Sequence, residues 1–250
     1  MASGSSGNAT FIASARTRLL VDVGLARREI ESRLAAIGED PEKLDAVLIT
    51  HEHNDHVSGL LRWVRRFGTP VFMTHLAASA IDWQGTRPRL ETFQSGGGLR
   101  IGDMDIQSFT IPHDAIDPVG FRFRVEGVTL GLVTDLGYIP ESIKHHLRGS
   151  DLLVLESNHD LEMLRVGPYP WAVKQRVMSR NGHLSNDSVG DYIRNELDAG
   201  VETLILSHLS ENNNHPELAR LVARQALDSR RHRARLVVAE PRKQSEVFLY

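Results

Sequence analysis

Six consecutive residues, His51-Glu52-His53-Asn54-Asp55-His56, hold three imidazoles and an aspartate at a spacing suited to binding a cation. They follow an apolar, β-branched run at residues 44–50 that is short and bounded, and so reads as a buried strand. The imidazoles therefore leave a strand end on a loop, and the spacing predicts a helix over 57–67. Neutral imidazole and carboxylate suit zinc, manganese or iron(II), whereas thiolate ligation is excluded because the chain has no cysteine. Crowded imidazoles and a carboxylate at a strand end need partners, and a cation is the simplest one.

The surrounding elements explain how such residues could be held. Residues 18–23 read as a strand running into Gly24, and Ile30, Leu34 and Ile37 mark an amphipathic helix ending at Gly38. Val57, Leu60, Leu61 and Val64 follow the i, i+3, i+4, i+7 pattern of a core-facing helix. Strands are expected at 70–73 and 99–111, an irregular loop at 83–98, and a hairpin of 121–125 with 128–133 around Glu126-Gly127. Buried strands follow at 152–155 and 203–206, with helices at 189–197 and 217–227 and closing strands at 236–239 and 246–249. Strand after strand ends in a ligand-grade residue: Thr50-His51, Pro112-His113, Thr134-Asp135 and Ser207-His208. In one sandwich those ends would meet on a single edge, where a rigid scaffold could hold a metal centre.

A chain of 250 residues fits one large α/β domain or two small ones, and the lack of repeats or linkers favours a single domain over 1–250. No apolar stretch approaches the roughly 20 residues that span a bilayer, and no secretory signal is visible, so a cytoplasmic protein is expected. The formal net charge of −3 does not advertise nucleic-acid binding. Basic residues do crowd the C-terminal end (Arg220, Arg224, Arg230, Arg231, Arg233, Arg235, Arg242 and Lys243), and read equally as a solvated face or a phosphate-binding one.

Taken together, His51, His53, Asp55 and His56, then His113, Asp135 and His208 at long spacing, resemble the metallo-β-lactamase superfamily over nearly the whole chain. The resemblance implies an αββα sandwich, two mixed β-sheets flanked by helices, with two divalent metal ions (zinc, manganese or iron) at one edge. It implies that His51, His53 and His113 hold one ion, that Asp55, His56 and His208 hold the other, and that Asp135 bridges. The superfamily's oxygen-reducing diiron branch usually carries glutamate where His53 stands, which disfavours redox chemistry. Ser3 to Thr10, Thr134-Asp135-Leu136-Gly137-Tyr138, Glu156-Ser157-Asn158-His159-Asp160, Gly182-His183-Leu184-Ser185 and His208-Leu209-Ser210 with Asn213 look like the YycJ/WalJ branch.

That branch implies a nuclease, in particular a 5′-to-3′ exonuclease on duplex DNA, with DNA held through its phosphates. His183 resembles the extra histidine of the superfamily's nucleases and would protonate the leaving oxygen, with Asp55 the other catalytic residue. Ser5, Ser6, Asn8, Asn158, His159 and Asn213 are candidates for substrate binding, the first of them on a Gly/Ser loop whose backbone N–H groups could meet a phosphate. The family places a strand before this loop that is missing here. No long inserted cap is present, which implies an open groove or a homodimer partner completing recognition. The alternative is a small-molecule hydrolase of ester, thioester or lactam type using the same metals; a non-catalytic, metal-stabilised protein is the more remote reading. His75, His145, His146, His215 and His232 are expected at helix ends or on solvated faces.

Overall fold

The computed structural model describes residues 3–4 and 6–250; Ser5 lies outside the described residues. Among these, two mixed sheets face each other. In the first, β1 (Thr10–Ala13) pairs antiparallel with β2 (Arg18–Val21), and β3 (Ala46–Leu48), β4 (Val71–Thr74) and β5 (Leu90–Phe93) continue in parallel. The second contains β6 (Gly98–Ile101), β7 (Met104–Thr110), β8 (Val119–Val125), β9 (Val128–Val133), β10 (Leu152–Glu156), β11 (Thr203–Ser207) and β12 (Arg235–Val238). Its order is β12-β11-β10-β9-β8-β7-β6, parallel from β12 to β9 and antiparallel from β9 to β6.

The strands are buried on both faces, which explains their continuous apolar character. Leu19 and Val21 of β2 join Leu48, Phe121, Phe123 and Val154 between the sheets, while Leu20 points to the outer layer. On that outer face α1 (Arg27–Ala36) and α3 (Leu60–Phe67) bury Ile30, Leu34, Leu60 and Trp63. The other sheet is covered by α5 (Glu141–Leu147), α8 (Asn186–Asn195) and α9 (Pro216–Ser229), through Ile143, Val189, Ile193 and Ala223 among others. This is the αββα sandwich. Truncating a fully buried side chain such as Trp63 to alanine would cost about 3–5 kcal/mol.

Several local expectations are corrected. The helix expected over 57–67 is two pieces, α2 (Asn54–Val57) and α3, because Gly59 presses on the backbone of the loop that follows β2: a Cβ there would lie 2.1 Å from the Leu25 carbonyl oxygen. The loop expected over 83–98 contains β5, and the strand over 99–111 is the hairpin β6–β7 turning at Gly102, whose φ is 56°. Residues 246–249 form no strand; Glu246 pairs with Arg235 at 2.7 Å and Phe248 packs against the inter-sheet core. Short helices α4 (His75–Ala80), α6 (Leu161–Val166) and α7 (Trp171–Val177) were not expected, nor was β1. The hairpin at Glu126-Gly127 is present, with φ of 52° and 86° as a tight two-residue turn requires.

The C-terminal basic cluster is largely paired. Arg230 donates to the carbonyls of Ile193 and Leu197, Arg220 pairs with Glu217, Arg242 with Glu211 and Lys243 with Glu240. His215 caps α9, His232 bonds to the Asp198 carbonyl, and His146 stacks on Phe109 at 4.8 Å.

Candidate metal centre

Because β7, β9, β10 and β11 run parallel to one another, their C-terminal ends share an edge, and the end of β3 meets them there. Val119 N–H donates to the Thr50 carbonyl at 3.0 Å and ties the two sheets together at this point. Asp22, Asp135 and His208, each just beyond a strand, have φ of 63°, 62° and 56°. A non-glycine residue in the left-handed region costs about 1–2 kcal/mol, strain of the kind held at functional sites.

The expected residues come together in two groups. His51, His53 and His113 each offer a nitrogen, all within 4.8 Å of one another. His53 Nδ1 and His113 Nε2 are 3.2 Å apart, and His51 Nε2 is buried with no hydrogen-bond partner. Asp55, His56, Asp135 and His208 form the second group under the same limit. There His56 Nε2 lies 3.4 Å from Asp55 Oδ2 and 3.3 Å from Asp135 Oδ2, and His208 Nε2 lies 3.4 Å from Asp55 Oδ2 and 3.3 Å from Asp135 Oδ1. Asp135 also reaches toward the first group, 3.9 Å from His113 Nε2.

Outer partners fix the rings. His56 Nδ1–H donates to Asp22 Oδ2 at 2.9 Å, and Asp22 also accepts from the Thr50 N–H at 2.8 Å. His113 Nδ1–H donates to the Gly182 carbonyl at 3.3 Å, and His51 Nδ1 meets Thr50 Oγ1 at 3.0 Å. In the neutral ring each contact leaves Nε2 as the lone-pair nitrogen facing the cluster, the arrangement that metal-binding histidines adopt. Gly24 holds the other wall, since a Cβ there would sit 1.7 Å from the Asp55 carbonyl oxygen.

Electrostatics follow from this crowding. Burial and the neighbouring His56 hold His51 well below its usual range. Burial opposes charge on His56, yet Asp135 and Asp22 carry it well above. Burial likewise opposes charge on His208, which Asp135, Asp55 and Glu156 push up to about 10. Asp55 and Asp135 are held well below the carboxylate range by His208 and His56 against the cost of burial. The protons on these two imidazoles balance the carboxylates, and a divalent ion can take their place by displacing them. The orphaned His51 nitrogen, the fixed tautomers and an all-nitrogen-and-oxygen donor set fit the binding of divalent metal.

Two contributors escaped the sequence reading. Glu156, fully buried at the end of β10, accepts from His183 Nδ1 at 2.7 Å and His208 Nδ1 at 2.9 Å through one oxygen, and from the Leu136 and Leu184 N–H groups, each at 3.0 Å, through the other. Burial would raise its pKa, but His183 and His208 bring it down to about 2. Asp22 is the second. A carboxylate closing a wholly apolar strand was the available signal in both cases.

His183 stands beside the ligand groups, its side chain one-fifth exposed and its ring 5.2 Å from that of His113. Asn8 bonds to Asp55 Oδ2 at 3.2 Å and lies 3.0 Å from His56 Nε2. The loop before it folds on itself: Gly4 N–H donates to Asn8 Oδ1, Gly7 N–H to the Gly4 carbonyl and Asn8 N–H to the Asp55 carbonyl. Those three N–H groups are therefore already paired and do not await a phosphate, a correction to the open-loop expectation; Ser6 remains exposed. Asn158 donates to the His208 carbonyl at 2.9 Å, Asn213 packs against Ser210, and His159 lies buried between β10 and Ser185. All three are interior residues rather than ones lining an open surface, and Asn158 is the one that meets His208.

Two facing mixed sheets with a histidine–aspartate cluster across their shared edge define a metallo-β-lactamase-type hydrolase fold, and residues 17–209 match the Beta-lactamase superfamily domain. The chain belongs to that superfamily, in its YycJ/WalJ-like branch. It is 37% identical over 226 residues to the exodeoxyribonuclease WalJ of Streptococcus pneumoniae, covering 88% of this chain and 84% of that protein. It is 34% identical over 233 residues to the exodeoxyribonuclease YycJ of Bacillus anthracis, covering 92% and 88%. The fold is shared with the metallo-β-lactamase fold protein YhfI of Bacillus subtilis, at a TM-score of 0.72 and 18% identity over 96% of this chain and 93% of that one.

Proposed function

We propose that this chain is a dinuclear-metal phosphodiesterase, a 5′-to-3′ exonuclease on duplex DNA. Its kinship with two exodeoxyribonucleases over most of its length supports the substrate class. The observation that carries the chemistry is His183, which stands outside the seven expected ligands yet shares the Glu156 carboxylate with His208.

His51, His53 and His113 would hold one ion, Asp55, His56 and His208 the second, with Asp135 serving both; zinc, manganese and iron all suit this set. When bound, such a pair supplies Lewis-acid polarisation of a phosphodiester and lowers the pKa of water. The chain's own residues do the rest. Glu156 fixes His183 by Nδ1, so Nε2 is the nitrogen that donates to a departing alkoxide. Burial opposes a charge on His183, but Glu156 raises its pKa and keeps the donor proton in place near neutrality. Asp55, held ionised by His208 and His56, would take the other catalytic role in this reading, accepting a proton from the attacking water. Asn158 and Asn213 support this site from behind, Asn8 is likewise buried and holds Asp55, and Ser6 is the exposed candidate that a substrate would meet.

Residues 1–250 act as one unit in this reading, because the site draws side chains from both sheets, and the protein works in the cytoplasm, where duplex DNA is its substrate. No helix among the described residues is long and apolar enough to cross a membrane. Light scattering with and without DNA tests for a homodimer. The decisive experiment digests end-labelled duplex DNA, single-stranded DNA and RNA side by side, with metals supplied and salt varied. Duplexes blocked at the 5′ end should resist, while blocking the 3′ end should matter little. Rapid cutting of closed circles would overturn the exonuclease assignment, and activity confined to lactams or thioesters would replace it with small-molecule hydrolysis.

A further inference from the structure

Two arginines on α6 and α7, the helices that precede His183, are neutralised. Arg176 pairs with Asp114, and Arg165 pairs with Glu162 at 2.7 Å. Arg180 is different. Among the described residues no carboxylate lies within ion-pair distance of it; its guanidinium instead rests 4.1 Å from the centroid of the Tyr138 ring. Arg180 is exposed and Tyr138 is half-buried.

The chain fixes this pair beside the metal centre. Tyr138 comes three residues after Asp135, and Arg180 three residues before His183. The two loops are pressed together where a Cβ on Gly137 would lie 2.3 Å from the carbonyl carbon and oxygen of Arg180. Gly137 N–H donates to the Pro112 carbonyl, next to His113, and His183 N–H donates to the Val177 carbonyl, so one loop is tied beside His113 and the other is closed onto α7 just where His183 begins. Stacking on an aromatic face restrains a guanidinium while leaving the N–H donors at its edge free to form a fork around an anion. A single cation held this way, with no acid to quench it, is built for a mobile anionic partner.

The geometry points to Arg180, presented on Tyr138, as a clamp for the DNA phosphate next to the scissile one, on the His183 side of the site. This rests on the nuclease reading above and deepens it, because a clamp outside the metal cluster is useful only to a substrate with a second phosphate. It positions and selects substrate and takes no part in bond cleavage.

The test compares two phosphodiesters on the metal-loaded protein: a short 5′-phosphorylated DNA duplex, and bis(p-nitrophenyl) phosphate, which has no neighbouring phosphate. Arg180→Ala should lose about tenfold more kcat/KM on the duplex than on the small diester, mainly through KM, the scale of one charged hydrogen-bonded contact. The slope of log affinity against log salt, read by anisotropy of the labelled duplex, should fall by about 0.9, one phosphate contact. Arg180→Lys should restore the slope but not the full affinity, since an ammonium keeps the charge and loses the fork. Tyr138→Phe should behave as wild type, and Tyr138→Leu should weaken duplex binding about threefold. Wild-type cutting of DNA with Arg180→Ala unchanged in KM and salt slope overturns the clamp alone. Equal losses on both substrates also overturn it, by making Arg180 part of the general scaffold. Failure of the wild type to bind or cut DNA, with the small diester still hydrolysed, overturns the nuclease reading and the clamp together.

Discussion

His183 and His208 are fastened by the same atom: Glu156 Oε1 lies 2.7 Å from Nδ1 of the first and 2.9 Å from Nδ1 of the second, and their rings stack at 5.3 Å between centroids. A proposed proton donor and a proposed metal ligand are thus oriented by one buried charge. Glu156→Gln removes that charge while keeping the shape, and its amide group cannot accept from both imidazoles through the same oxygen as strongly. Metal affinity and DNA cleavage should both fall, by about 10–100-fold, the usual worth of a ligand-orienting partner. Metal titration and cleavage assays on one preparation check this; a loss of cleavage with unchanged metal affinity would show that Glu156 serves His183 alone.

Asp135 touches both ligand groups, with oxygens 3.3 Å from His56 Nε2 and His208 Nε2 and 3.9 Å from His113 Nε2. Asp135→Ala should therefore lose more metal than a change at any single histidine of the set. Elemental analysis of protein purified without chelator provides the measurement. Full occupancy in the variant would remove Asp135 from the bridging position.

His183→Ala should keep fold and metals yet lose roughly 10²–10⁴-fold in cleavage rate, the range for a positioned general acid. A substrate with a phenolic leaving group needs little protonation, so the loss there should be much smaller. If metal content falls with activity, His183 is a ligand; if neither changes, it has no chemical part.

His159 gives a prediction about acid stability. Burial lowers its pKa to about 4, with its Nδ1 unpaired. Its folded pKa lies below the unfolded value of about 6.5, so the unfolded chain binds the proton first. Stability is unaffected above pH ~6.5, declines as pH falls, and is reduced by about 3 kcal/mol once pH passes below about 4. His159→Gln should flatten this part of the acid limb. Urea unfolding at pH 7 and pH 5, with both proteins in the same metal state, should show a smaller difference for the variant; parallel curves would mean that His159 is not titrating there.

The ligand set was legible because its members close apolar runs, and a strand buried on both faces leaves few other reasons to end in imidazole or carboxylate. The same logic could have reached Asp22 after Leu19-Leu20-Val21 and Glu156 after Leu152–Leu155, but an acid outside a ligand motif looks like ordinary strand-end polarity. Short elements were harder. Helices α4, α6 and α7 span 6, 6 and 7 residues, too few turns to display a periodic stripe, and β5 is only partly buried. The break at Gly59 was invisible because its cause, the Leu25 carbonyl, is distant in sequence. The pairing of Arg180 with Tyr138 likewise depends on two loops meeting.

The side chains that would grip metal are divided between the sheets. His51, His53, Asp55 and His56 follow β3 of one, while His113, Asp135 and His208 follow strands of the other. Neither half carries either ligand group complete, so bound metal would act as a rivet through the seam of the sandwich. Chelation should then loosen the layers before it melts them, and amide exchange should quicken first along the Thr50–Val119 contact that bridges them. Metal supply would in that way govern how tightly the molecule is closed as well as whether it can cut.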